Sequence, residues 1–221
     1  MSRTRRIIFE GHPHHVIQRG NRRQRVFFKD EDKKHYLDLL KKKCDKYSVL
    51  VWAYCLMDNH VHLVLVPSTS DGLAKAVGQT HWRYALQVNK RMKWRGHLWQ
   101  ERFSSFILHD KYLRSVMRYV EMNPVRAGIV AKAEAYKWSS AAAHVRNKVN
   151  PILSSFSMLE NIKDWRLYLE GEDEKELVLM HRHLSSGRPL GEVDFLKQLC
   201  QELKADIFPK KRGPKPKLRI K

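Results

Sequence analysis

Two histidines separated by a single residue are the densest chemical signal in the chain. The segment MDNHVHLVL at 57–65 places His60 and His62 at the start of a strongly apolar run. Because side chains on a strand alternate between its faces, these two histidines share one face while Val61 and Leu63 share the other. Two imidazoles in this relation can bind one divalent cation and leave positions open for substrate oxygens. Strand histidines that merely face solvent give the same pattern, so the pair needs support from the rest of the chain.

Further polar groups lie along one edge of a helix predicted over 111–122. Tyr112, Tyr119 and Asn123 fall at steps of seven and four residues, beside an apolar stripe that points to the core. The pair Asn123-Pro124 is predicted to end this helix. A tyrosine at the border of an apolar stripe usually packs with its hydroxyl in water. Tyr119 is therefore a candidate for a chemical role only if the histidines lie beside it.

The elements that must position these residues alternate between strand and helix patterns. Strands are predicted over 14–19, 49–56, 61–66 and 98–108, and helices over 30–47, 73–92 and 111–122. The order β-α-β-β-α-β, with a helix after it, predicts an α+β fold: a ferredoxin-like split βαβ sheet with helices on one face. Three regions follow: a main domain over 1–145, a helical C-terminal extension over 146–205, and a disordered basic tail over 206–221. This plan hosts many functions and specifies none.

The net charge of the chain limits the classes of molecule that it is expected to bind. The 221 residues include 43 Lys+Arg against 23 Asp+Glu, a formal net charge of +20, which exceeds what an ordinary metabolic enzyme carries. A field of this sign recruits polyanions, so nucleic acid is the favoured partner and an acidic membrane surface the alternative. The longest unbroken apolar run, 49–57, is less than half of the roughly twenty residues that a membrane helix needs. No signal peptide is read at the start, and the three cysteines form no CxxC pair, which favours a reduced, cytoplasmic protein.

Basic residues cluster near the N-terminus, around residue 90 and in the tail. Tryptophans 82, 94 and 99 fall near the second cluster, a composition typical of surfaces that combine phosphate contacts with base stacking, although core packing would also account for them. The predicted DNA-binding residues are Arg19, Arg22, Arg23, Arg25, Lys90, Arg91, Lys93, Arg95, Arg188, Lys210, Lys211 and Arg212.

Two longer strings carry a family resemblance. YCLMDNHVHLVLVP at 54–67 and RYVEMNPVRAGIV at 118–130 together resemble the HUH single-tyrosine transposases. QRGN at 18–21, HLWQERF at 97–103, WSS at 138–140 and GRPLG at 187–191 make the chain similar to the REP-associated tyrosine transposase branch of that family. The resemblance covers about residues 5–145.

The resemblance implies a metal-dependent endonuclease that cleaves and rejoins single-stranded, hairpin-forming repeat DNA through a covalent 5′-phosphotyrosine. It makes 1–145 the catalytic domain, Tyr119 the nucleophile, and His60 and His62 ligands of Mg²⁺ or Mn²⁺. Asn123 is the implied third ligand, with Glu121 as the alternative. It also implies a monomer, with a dimer as the alternative, in the bacterial cytoplasm at the nucleoid, and no small-molecule cofactor.

Two other functions fit the same residues. One is a basic module that binds structured nucleic acid without cutting it. The other is a metal nuclease that uses water as its nucleophile, which the lack of a carboxylate cluster beside the histidines disfavours.

Overall fold

The computed structural model describes residues 7–156, 161–171, 178, 180, 183, 188–204 and 207. The main elements, in chain order, are β1 (His14–Arg19), α1 (Asp30–Lys46), β2 (Val49–Met57), β3 (His60–Pro67), α2 (Gly72–Met92), β4 (Ser104–Ile107) and α3 (Asp110–Arg126). The further helices described are α4 (Ala141–Val145), α5 (Trp165–Glu170) and α6 (Val193–Leu203), and a 3₁₀ turn spans Asn21–Arg23.

The four strands form one antiparallel sheet in the order β2-β3-β1-β4. This order, with α1 connecting β1 to β2 and α2 connecting β3 to β4, confirms the predicted α+β, ferredoxin-like split βαβ sheet. The bounds of β1, α1, β2, β3 and α2 agree with the sequence prediction to within one residue. β4 is much shorter than the predicted 98–108, because residue 99 joins the sheet only through an isolated bridge to residue 20.

Helices cover both faces of the sheet. α1 and α2 pack against each other, as expected when both βαβ connections have the same hand. α3 lies on the opposite face, where the ring of Tyr119 contacts the rings of His15 and His62. The prediction of helices on one face is therefore correct for α1 and α2 and wrong for α3. The physical reason is that β3 is buried on both faces, as Leu63 and Val64 each show, and both faces need a cover.

The end of α3 also differs from the prediction. The helix does not stop at Asn123-Pro124 but continues through Pro124 to Arg126. Proline cannot donate a backbone hydrogen bond, which deprives the preceding turn of a partner. The Asn123 amide compensates, because its Nδ2 donates to the carbonyls of Tyr119 (2.7 Å) and Val120 (3.4 Å). A side chain thus replaces the missing backbone donor, and the helix gains one more turn.

The described part of the C-terminal extension packs against the sheet domain. Phe156, Trp165 and Leu190 belong to the same buried core as the strands, and Leu190 forms a parallel bridge with Leu108. The boundary at 145 stays a prediction. Apart from Ile207, the predicted tail over 206–221 lies outside the described residues. No helix in the described part of the chain is long and apolar enough to cross a membrane.

A buried carboxylate joins α3 to the extension. Glu121 has no exposed surface and accepts hydrogen bonds from the Ser140 hydroxyl and the Trp165 Nε1 (2.7 Å), while its Oε1 lies 2.6 Å from Nδ1 of His144. A buried polar group without a partner destabilises a fold. Because losing any one of these contacts would leave such a group, the contacts stabilise the fold only together.

We expect Glu121→Ala to lower the free energy of unfolding by about 3–5 kcal/mol, because three buried groups lose their acceptor together. Urea unfolding of the purified variant tests this. Asp38→Ala, which removes an exposed acid from α1, is the control and should change the value by less than about 0.5 kcal/mol. Equal effects of the two substitutions would contradict the role given to Glu121.

Burial also makes the fold sensitive to acid. His14 is fully buried in β1, and the loss of solvation lowers the pKa of its imidazole to about 4. In the unfolded chain a histidine takes up a proton as the pH falls through about 6.5, whereas folded His14 stays neutral until about pH 4. The unfolded state therefore binds more protons in this window, and stability is lost as the pH falls from 6.5 toward 4.

For His14 alone we expect the free energy of unfolding to fall by about 2 kcal/mol between pH 7 and pH 5. Urea unfolding of the wild type and of His14→Gln at both pH values should show a smaller fall in the variant by about that amount. Leu63→Val, a buried substitution that removes no titratable group, should keep the wild-type pH dependence. An identical pH dependence in His14→Gln would contradict the prediction.

Candidate active site

A two-residue hairpin at Asp58-Asn59 starts the strand that carries the histidine pair. Met57 and His60 face each other directly across this turn. Asp58 holds the hairpin in place, because its carboxylate accepts from Arg25 (2.9 Å) and from Lys33 (2.8 Å). The chain thus enters β3 with its register fixed at His60.

The two histidines lie on one face, as their spacing predicts. The ring centroids of His60 and His62 are 4.9 Å apart. Nδ1 of His60 contacts the side-chain oxygen of Asn59 at 2.6 Å, and Nδ1 of His62 contacts Nε2 of His15 at 3.1 Å. Within the described residues, the Nε2 atoms of His60 and His62 form no hydrogen bond, so these two atoms are the ones that can bind a ligand.

Burial keeps the imidazoles of the site neutral. It lowers the pKa of His60 to about 4 and that of His15 to about 3, and it holds the pKa of His62 well below its ordinary value. Positive charge acts in the same direction on the histidine pair, since Arg19 also lowers the pKa of both His60 and His62. At neutral pH both rings are unprotonated, which is the state in which imidazole binds a metal.

Tyr119 lies directly above the histidines. Its ring meets the ring of His62 edge-on at a centroid distance of 5.4 Å and that of His15 at 5.9 Å. The residue is only 6% exposed, and burial raises the pKa of its phenol, whereas the guanidinium groups of Arg126 and Arg19 lower it. The site therefore opposes formation of the phenolate by desolvation and favours it by charge.

Arg126 covers the other side of the tyrosine. Its guanidinium carbon lies 4.6 Å from the centroid of the Tyr119 ring, a cation–π distance, and its Nη2 donates to the backbone carbonyl of Tyr119. One side chain thus contacts both the ring and the backbone of the same tyrosine.

The two candidates for the third ligand have different surroundings. Asn123 lies one helical turn after Tyr119, and its amide nitrogen donates hydrogen bonds to backbone carbonyls. Its Oδ1 is therefore the atom that could bind a metal. Both carboxylate oxygens of Glu121 already accept hydrogen bonds inside the core. These contacts favour Asn123 over Glu121.

The residues present fit a divalent cation of modest affinity. The described part of the chain holds no group of three His, Cys, Asp or Glu side chains that could bind a metal. Two neutral imidazoles and one amide oxygen form a partial set of ligands, which water and phosphate oxygens of a substrate can complete.

The predicted DNA-binding residues occupy different settings. Arg22, Arg23, Lys90, Lys93 and Arg95 are exposed, and Arg25 is exposed but paired with Asp58. Arg91 binds the buried carboxylate of Asp32 through both terminal nitrogens, so its charge is committed to the fold. Arg188 is half-buried, with its backbone carbonyl 3.1 Å from His183. Lys210, Lys211 and Arg212 lie outside the described residues.

The tryptophans divide between surface and core. Trp82 and Trp94 are 58% and 40% exposed, whereas Trp99 is buried and donates to the carbonyl of His81. The first two can therefore stack on bases, and the third is a core residue.

Sequence reasoning missed His15 and Arg126. His15 reaches the site only through the pairing of β1 with β3, in which it faces Val64. Arg126 follows Tyr119 by seven residues, which is two helical turns, but the expected helix end at Pro124 concealed that relation. Spacing alone would have placed Arg126 beside the tyrosine if the helix had been extended.

Comparison with known proteins identifies the family and the fold. The family model described as "Transposase IS200 like" matches residues 9–123. A Haemophilus influenzae protein named "Putative REP-associated tyrosine transposase" is 27% identical over 122 residues, covering 50% of this chain and 69% of the relative. A solved structure of a REP-associated tyrosine transposase bound to a REP hairpin aligns with a TM-score of 0.57 and 19% identity, over 71% of this chain and 96% of that one.

The solved structure supports the fold, and the family match confirms the resemblance seen in the sequence. The matched segment covers more than half of the chain and contains His60, His62, Tyr119 and Asn123. The chain belongs to the IS200-like transposase family.

Proposed function

We propose that this protein cleaves and rejoins single-stranded, hairpin-forming repeat DNA through a covalent 5′-phosphotyrosine formed on Tyr119. The observation that carries the proposal is the contact of the Tyr119 ring with His62, which brings a nucleophile of the right type to a pair of neutral imidazoles. The similarity to a protein bound to a REP hairpin supports hairpin DNA as the substrate.

In the proposed reaction, Oη of Tyr119 attacks the scissile phosphorus, the bond from phosphorus to O3′ breaks, and O3′ leaves as a hydroxyl. The phenol loses one proton and the departing oxygen gains one, so no net proton is consumed. Arg126 holds the ring in place while the bond forms. The phosphotyrosine ester preserves the energy of the broken link, so a free 3′-hydroxyl can reverse the step without ATP.

His60, His62 and Asn123 are the proposed ligands of Mg²⁺ or Mn²⁺. When bound there, the ion would polarise the scissile phosphate and offset its charge. The contact between Asn59 and Nδ1 of His60 orients that ring, so that its Nε2 points away from the hairpin turn.

The exposed basic residues supply affinity for the DNA backbone. The proposed phosphate contacts are Arg22 and Arg23 on the 3₁₀ turn, Lys90 in the last turn of α2, and Lys93 and Arg95 just after that helix, together with Arg25 and the half-buried Arg188. We further propose that the protein acts as a monomer in the bacterial cytoplasm, at the nucleoid.

We expect Tyr119→Phe to abolish covalent attachment to DNA, because only the hydroxyl forms the ester. The test incubates protein, Mn²⁺ and a labelled single-stranded hairpin from repeats near its gene, followed by a denaturing protein gel. The wild type should give a labelled band at the mass of the protein, and Tyr119→Phe should give none. Tyr112→Phe, which alters a tyrosine on the same edge of α3, should retain the band.

Two outcomes would contradict the proposal. Cleavage without an adduct, retained in Tyr119→Phe, would indicate a nuclease that uses water. Binding to several hairpins without cleavage by any of them would indicate a binding module.

We also expect DNA and metal to bind cooperatively, because the proposed ligands His60, His62 and Asn123 are all uncharged and the substrate phosphate supplies a negative charge. In the Tyr119→Phe background, which cannot cleave, Mn²⁺ should tighten binding of the hairpin about tenfold. Fluorescence anisotropy measures this, and adding His62→Ala should remove the effect of Mn²⁺ while leaving metal-free binding in place. An equal effect of Mn²⁺ in both proteins would exclude His62 as a ligand.

A further inference from the structure

His15 contacts one of the candidate metal ligands from a buried position in β1. Its Nε2 lies 3.1 Å from Nδ1 of His62, and the two imidazole planes are inclined by 27° with their centroids 5.2 Å apart. His15 has no exposed surface, and His62 is only 2% exposed. The hydrogen bond between the two rings is therefore shielded from water, which would otherwise compete for either nitrogen.

The direction of this hydrogen bond decides whether Nε2 of His62 can bind a cation. A neutral imidazole carries one N–H, and the nitrogen without the proton is the one that binds a metal. If Nδ1 of His62 donates to His15, Nε2 of His62 keeps its lone pair. If Nε2 of His15 donates instead, the proton of His62 lies on Nε2, and that atom cannot bind a cation. Burial lowers the pKa of His15 to about 3 and holds the pKa of His62 well below its ordinary value, so both rings are neutral and only these two states compete.

The other candidate ligand shows which tautomer the site needs. Oδ1 of Asn59 lies 2.6 Å from Nδ1 of His60, and the amide is oriented by its Nδ2, which donates to the carbonyl of Arg23 at 3.2 Å. An amide oxygen can only accept, so the proton of His60 lies on Nδ1 and its Nε2 is unprotonated. For both histidines to bind one ion, His62 must have the same tautomer, and His15 must then be the acceptor.

Packing alone does not account for a histidine at position 15. Its Nδ1 has no hydrogen-bond partner in the described part of the chain, and its other ring contacts are with Phe106 and Tyr119, at centroid distances of 5.2 and 5.9 Å. A buried nitrogen without a partner destabilises a fold, and an apolar side chain would fill this position without burying one. What the histidine supplies is its other nitrogen, the one that contacts His62.

We propose that His15 is a positioning residue that accepts the Nδ1 proton of His62 and so keeps Nε2 of His62 unprotonated for the divalent cation. This inference rests on the proposed function, in which His62 is a metal ligand. It gives His15 an effect on metal affinity that acts through His62 and not on the metal itself.

The tautomer of His62 tests the inference in the wild-type protein. Long-range ¹H–¹⁵N correlation spectra of the full chain, labelled with ¹⁵N-histidine, distinguish a protonated from an unprotonated ring nitrogen. Because the chain has 12 histidines, a spectrum of His62→Gln identifies the signals of His62 by their loss. We expect a proton on Nδ1 of His62 and none on Nε2 in the absence of metal and DNA. A proton on Nε2 would overturn the inference.

Substitution of His15 tests the consequence for metal binding. We expect His15→Leu to weaken binding of Mn²⁺ to the protein about tenfold, measured by electron paramagnetic resonance, because the tautomer of His62 is no longer held. His15→Gln, whose amide oxygen can accept from Nδ1 of His62, should recover most of that affinity. A histidine with a purely structural role would affect stability in urea but neither the tautomer of His62 nor the affinity for Mn²⁺, so an unchanged affinity in His15→Leu would contradict the proposal.

His14→Leu is the matched control. His14 is the neighbouring residue of β1 and is also fully buried, but its ring contacts the backbone nitrogen of Phe9 and the carbonyl of His12 instead of the site. Its substitution should leave the tautomer of His62 and the affinity for Mn²⁺ as in the wild type. An equal loss of affinity in His14→Leu and His15→Leu would overturn the inference, because it would assign the loss to a general disturbance of β1.

Two features of the design keep the outcomes distinct. If His15→Leu fails to fold, the wild-type spectrum still decides the inference, since it needs no substitution at position 15. The tautomer is measured without DNA, so a negative result here differs from the absence of a phosphotyrosine adduct in the wild type, which would refute the proposed function.

Discussion

The packing of α3 against the sheet, through the ring of Tyr119 on His62, is the interaction on which the site depends. It brings a helix and a strand that are far apart in sequence into one site. It also removes the tyrosine and the histidines from water, which keeps the imidazoles unprotonated and at the same time raises the pKa of the phenol. The same burial that keeps the candidate metal ligands neutral therefore also opposes formation of the Tyr119 phenolate.

Two arginines act against the effect of burial on the pKa of the phenol. The acid closest in sequence to Tyr119 is Glu121, which attaches α4 and α5 to α3 instead of contacting the phenol. Among the described residues, the guanidinium groups of Arg126 and Arg19 lower the pKa of Tyr119. One edge of α3 thus carries the candidate nucleophile Tyr119 beside Arg126, and another carries Glu121, whose contacts are structural.

Local pattern predicted much of this arrangement. Alternation along β3 placed His60 and His62 together, and helical spacing placed Asn123 beside Tyr119. The predictions that failed depended on contacts between distant segments. The register of β1 on β3 brings His15 to the site, and the pairing of Arg91 with Asp32 uses the charge of a basic residue that was predicted to bind DNA. The helix end that was predicted at Pro124 was wrong for a local reason. The side chain of Asn123 supplies hydrogen bonds that helix propensities do not include. The assignments of ligand and nucleophile came from resemblance, since spacing alone left solvent-facing histidines as an alternative.

The proline within α3 has a consequence for how the helix moves. The carbonyls of Tyr119 and Val120 are held by the side chains of Asn123 and Arg126, and side-chain bonds break and reform without unwinding the backbone. The last turn of α3 is therefore held by side chains where an ordinary helix uses backbone donors, and motion of this turn depends on Asn123 and Arg126.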